Sequence, residues 1–135
     1  MNDQTKKYMS IVLQLIIAII FVQTLYFKFT AHPDSVYFFS KLGMEPYGRI
    51  GIGIAELITA ILILNPKTKI IGGVFSLGVI SGAILAHLGP LGTEVQGDGG
   101  KVFYLALVVF FSTVVFLLLQ WKELVGLLYS IKNKL

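Results

Sequence analysis

The sequence contains no cysteine, two histidines, one tryptophan and little charge. Without cysteine there is no disulfide, no CxxC redox centre, no thiolate metal site and no Cys nucleophile. The two histidines, His32 in a loop and His87 in an apolar segment, do not make a bis-His haem site. A zinc hydrolase needs about three protein ligands together, and the chain does not assemble them, so no metal site is expected. No nucleotide-binding fingerprint is present. Charged residues make up only 13% of the chain, against about 25% in a soluble domain.

What the chain has instead is apolar length. Hydrophobic residues are 56% of 135, and the mean hydropathy is +0.82. The expected fold is all-α, a bundle of four transmembrane helices forming a single domain over residues 1–135. The spans read as about 8–29, 47–64, 69–88 and 101–120. Each suits a bilayer core of roughly 30 Å at about 1.5 Å rise per residue. The first span is too long for the apolar core of a signal peptide and has no small-residue cleavage site. The lipid bilayer is therefore the expected partner. The net charge of +4 is no sign of nucleic acid, because the lysines gather at helix ends.

Between the first two spans, Pro33-Asp34-Ser35 reads as a helix start and Gly43 as a stop. The aromatic segment between them is expected to be a short interfacial helix at the headgroups. A lid over a cavity is the alternative. Asn65-Pro66 marks a tight turn, so the second and third spans should be antiparallel neighbours. In the third span, Gly78, Gly82 and Ala86 form a ridge of small residues. Close helix packing within the bundle is expected there, with homo-oligomer contact as the alternative. Residues 89–100 read as a Gly-rich turn, since Glu94 and Asp98 lack calcium-loop spacing. The tail, 121–135, is amphipathic and should lie on the membrane surface, anchored by Trp121.

Seven of the eleven basic residues fall on the side of the two termini: Lys6, Lys7, Lys67, Lys69, Lys122, Lys132 and Lys134. The positive-inside rule makes that side cytoplasmic. A multi-pass protein of the cell (inner) membrane, with N and C termini cytoplasmic, is expected.

Few polar residues lie within the spans. Glu56 stands near the middle of the second, about 12 Å from either end. An ionised acid at that depth costs about 2.5–3.5 kcal/mol on insertion scales, so an intramembrane acid is a functional hypothesis by default. Gln23 and Lys28 in the first span, Arg49 in the second, His87 in the third and Tyr104 in the fourth fall in the same half of the membrane. Together with Glu56 they form the candidate ligand or proton site. Each has a plainer role: Lys28 and Arg49 as snorkelling cations, His87 as an interfacial histidine bonded to a backbone carbonyl, Tyr104 as an aromatic-belt residue, Gln14 and Gln23 as interhelical hydrogen-bond glue. Glu56 is too short to snorkel. It pairs statically with Lys28 or Arg49, or it is a neutral acid facing a cavity. The second is expected, because both cations sit at helix ends where water can solvate them.

Several short motifs resemble those of the DoxX-like family of small integral membrane proteins. They are Phe21-Val22-Gln23-Thr24-Leu25-Tyr26-Phe27-Lys28-Phe29, where a Lys closes an apolar run, and Gly53-Ile54-Ala55-Glu56-Leu57. His87-Leu88 after a Gly/Ala-rich helix and Gly99-Gly100 before an aromatic-aliphatic one also fit. The order and spacing of these motifs carry the resemblance over about residues 8–120. It implies a four-helix bundle associated with membrane redox systems, including thiosulfate:quinone oxidoreductase and quinol oxidase subunits. The expected function is an accessory or small-molecule-binding subunit that is not an enzyme on its own. A quinone or other lipid-like molecule is the expected ligand, and a membrane redox protein the expected partner. The alternatives are a small oligomeric transporter or proton-coupled permeation unit, and a structural scaffold with no ligand.

Overall fold

A computed structural model describes residues 1–135 and contains six helices. They are α1 (Asp3–Phe29), α2 (Pro33–Lys41), α3 (Tyr47–Leu64), α4 (Lys69–Leu88), α5 (Lys101–Leu119) and α6 (Trp121–Lys134). Four of them, α1, α3, α4 and α5, are long and apolar enough to cross a membrane. The first helix starts at Asp3 rather than near Tyr8. The Asn2 side chain accepts from Thr5 N at 2.7 Å, and Asp3 suits the positive helix start. Gln120 separates α5 from α6.

The four long helices form a ring in the order α1, α3, α4, α5, with α5 closing back on α1. Gln14 of α1 meets Ile63 near the end of α3, and Lys28 at the end of α1 meets Arg49 at the start of α3, so these spans run antiparallel, as in an up-down bundle. All four helices feed one core, which includes Ile17, Phe21, Ile63, Val109 and Phe116. Polar groups within it are paired across helices. Gln14 Nε2 donates to Ile63 O at 2.6 Å, and Gln120 Nε2 donates to Ser10 Oγ at 2.7 Å. The Ser76 and Thr113 hydroxyls lie 2.7 Å apart. In an apolar medium such bonds hold helices together where hydrophobic burial between them has little to offer.

The bundle is tight in the half nearer the termini and open in the other. At Gly72 a Cβ would strike the Ile63 and Leu62 backbone, and at Gly73 the Leu117 and Phe116 side chains. These two glycines set the close approach of α4 to α3 and α5. Gly78 and Gly82, in the ridge expected to pack, would meet nothing within 4 Å. That expectation is corrected: Gly78 and Gly82 are exposed, and with Ala86 they line a cavity. Over the open half lies α2, with Ser35 and Phe39 buried. The tail helix α6 buries no residue, and Lys69 Nζ lies 3.7 Å from Glu123 Oε1 at its base.

Candidate functional site

The open half of the bundle holds a cavity of about 700 Å³. All four long helices line it, together with α2 and the loop from Val95 to Asp98. Its wall is mostly apolar, with aromatic side chains from α1 and α2 such as Phe21, Phe27 and Phe38. Polar residues of the lining include Asp34, Gln96 and Lys101 beside those expected to form the site.

The central group is built by α1 and α3. Thr24 and Lys28 are four residues apart on α1 and so share one face. On α3 that face meets Glu56, which is 7% exposed. Lys28 Nζ lies 3.1 Å from Glu56 Oε2, and Thr24 Oγ1 lies 2.9 Å from the same oxygen. Thr24 Oγ1 is also 2.8 Å from Phe21 O, so its single proton is shared between two acceptors. Both side-chain contacts fall on Oε2, and Oε1 has no protein partner. The expectation that Lys28 stays with water at its helix end, leaving Glu56 without a static partner, is therefore corrected, while Glu56 lines the cavity. Lys28 has a long, flexible stem, and it turns inward along α1 to the acid instead of outward to the headgroups.

Arg49 does something else. It is buried, but its Nε donates to Glu45 Oε1 at 2.7 Å and its Nη1 donates to Lys28 O. The last carbonyls of a helix lack partners within the helix, and a cation there suits the negative helix end. Arg49 closes the end of α1 and does not line the cavity. Tyr104 is 63% exposed and also lies outside the cavity lining. It belongs to the outward stripe of α5 with Val108, Phe111 and Val115. Gln23 is exposed and stands at the cavity rim.

His87 does line the cavity. Its Nδ1 lies 3.0 Å from Gly92 O, and the rings of Phe38 and Phe103 stand 5.3 and 5.4 Å from its own. Its Nε2 is buried without a partner. Phe38 and Phe39 of α2, with Leu42 just after it, also line the cavity.

A model of the DoxX-like family matches residues 12–114. The chain belongs to the DoxX-like family. The match takes in most of the chain, including Thr24, Lys28, Glu56 and His87. No curated protein and no solved structure matches it at a significant level. As a DoxX-like protein with four membrane-spanning helices, it is a multi-pass integral membrane protein.

Two site features escaped the sequence reading. Thr24 belongs to the Glu56 cluster, and its spacing from Lys28 was an available signal. Asp98 organises the loop beside His87. Its Oδ1 accepts from Val95 N at 3.1 Å and Gly100 N at 2.7 Å, and its Oδ2 accepts from Val102 N at 3.3 Å. An Asp before two glycines is a turn signal of this kind. Partial burial pulls the Asp98 carboxyl upward, but the bonds from Val95, Gly100 and Val102 outweigh it and hold its pKa below the ordinary value.

Proposed function

We propose that this DoxX-like protein binds a small amphipathic molecule of the quinone class in the cavity between its helices, as an accessory subunit of a membrane redox system. The observation that supports it is the apolar, aromatic cavity with the Thr24–Glu56–Lys28 cluster in its wall. Ligand pockets commonly combine such a lining with a few placed polar groups. Glu56 Oε1 would accept a hydrogen bond from a hydroxyl of the ligand's reduced form, and Lys28 would hold the charge of the acid. Gly78 and Gly82 would leave the cavity open sideways to the hydrocarbon, where such a molecule resides. The protein would lie in the cell inner membrane as a single domain. Both termini would be cytoplasmic, α6 would lie on the cytoplasmic surface, and a redox protein or a second copy would be its partner. The close packing around Gly72 and Gly73 favours binding over passage through the bundle.

The test is native mass spectrometry of the detergent-purified protein with a short-chain benzoquinone. Ala83 lines the cavity, and Ala83→Trp should fill it and abolish binding while the helical circular dichroism is kept. Binding to Ala83→Trp at the wild-type level would remove the cavity from consideration. A second reading rests on the Lys28–Glu56 contact itself. If that pair is only a fastening, the protein is a scaffold, and no quinone-class probe will bind.

A further inference from the structure

His87 is 1% exposed, and its two ring nitrogens are in different states. Nδ1 faces the carbonyl oxygen of Gly92 at 3.0 Å. A carbonyl only accepts, so Nδ1 carries the proton and donates. In the neutral imidazole Nε2 is then a lone-pair acceptor. That acceptor is buried without a protein partner. Buried polar atoms are nearly always paired, so one left over on a cavity wall calls for a partner from outside the chain.

The surroundings narrow the chemistry. Phe38 of α2 and Phe103 of α5 flank the imidazole, and Phe21 and Phe27 line the same cavity. Aromatic walls favour a flat ring, through offset or edge contacts. The partner must also donate a hydrogen bond to Nε2. Quinone carbonyls and aryl ethers only accept, whereas an aryl hydroxyl donates. We propose that His87 Nε2 accepts a hydrogen bond from an aryl hydroxyl, so that the cavity takes the hydroxyl-bearing, reduced ring (a phenol or hydroquinone) in preference to its ether or its quinone. This rests on the ligand-binding reading above and adds the redox form that is held. Nε2 is itself covered and the Phe38 ring stands 5.3 Å from the imidazole, so the hydroxyl needs a side chain of the cavity wall to give way.

The experiment compares trimethylhydroquinone, kept reduced, with its dimethyl ether, by titration calorimetry on the full-length protein in detergent. One neutral hydrogen bond corresponds to about a three- to tenfold preference, and the wild type should favour the hydroquinone by that factor. In His87→Phe the ratio should fall by about that factor. In His87→Gln, which keeps an acceptor on a side chain of similar reach, part of the preference should return. An ether bound as tightly as the hydroquinone by the wild type overturns the assignment, and this comparison needs no variant to fold. If both probes bind equally and Ala83→Trp removes both, the His87 assignment fails while the cavity reading stands. If neither probe binds the wild type, both fail.

Discussion

Lys28 Nζ stands 3.1 Å from Glu56 Oε2, joining the last turn of α1 to the middle of α3. The two side chains are 13% and 9% exposed, and Thr24 is the only other group bonded to the acid. A pair so placed fastens α1 to α3 in the cavity wall. The attraction offsets the desolvation of both charges only while both are present.

Removing one partner should therefore cost stability. Glu56→Gln and Lys28→Met should each lower the melting temperature in detergent, toward the lower end of the about 3–5 kcal/mol seen when a buried pair is broken. The double variant should lose less than the sum, with a coupling of about 0.5–3 kcal/mol. Strictly additive losses would show that the two groups do not act as a pair. A benzoquinone titration on the same variants separates the two functional readings: lost binding supports the ligand site.

Packing should depend on Gly72 and not on Gly82. Gly72→Ala drives a methyl into the backbone of α3, which cannot step aside as a side chain can. Overpacking of this kind costs about 1–3 kcal/mol. Gly82→Ala meets open space and gains at most about 1 kcal/mol of helix propensity. Thermal melts of the two variants side by side check this, and a larger loss at Gly82 would contradict the geometry.

The hold of Asp98 on the loop over the cavity should be lost only at low pH. Asp98 has a folded pKa below the ordinary value of 3.8. A depressed carboxyl contributes stability that is present above its unfolded pKa and is lost as pH falls through the folded one. An NMR titration of the Asp98 carboxyl carbon should have its midpoint below 3.8, with the amides of Gly100 and Val102 shifting in step. A midpoint at or above that value would mean that the three backbone bonds do not hold the carboxylate.

Orientation follows from the lysine asymmetry. A reporter fused after Leu135 should read cytoplasmic and one inserted at Gln96 external. The reverse pattern would put the cavity mouth and α2 on the cytoplasmic side.

By itself the sequence determined the number of spans, their limits to within a few residues and the presence of one acid at membrane depth. Those properties follow from local hydropathy along the chain, which needs no knowledge of neighbours. It also carried the family, through the order of short motifs around Lys28, Glu56, His87 and Gly99-Gly100. The rotation of each helix about its axis was decided only in the tertiary structure. In a soluble protein the polar face points to water and reveals the buried one. In a bilayer the lipid-facing and core-facing sides are both apolar, and periodicity loses that contrast. So Tyr104 faces outward, and Gly72 and Gly73 make the close contact while Gly78 and Gly82 border the cavity. Long side chains added a second freedom. Lys28 and Arg49 sit near the same bundle end, yet Lys28 reaches inward to Glu56 and Arg49 turns to Glu45 and the end of α1. Glu45 is within a turn of Arg49, but Glu56 for Lys28 and the Lys28 carbonyl for Arg49 lie far along the chain, and only the assembled bundle brings them within reach.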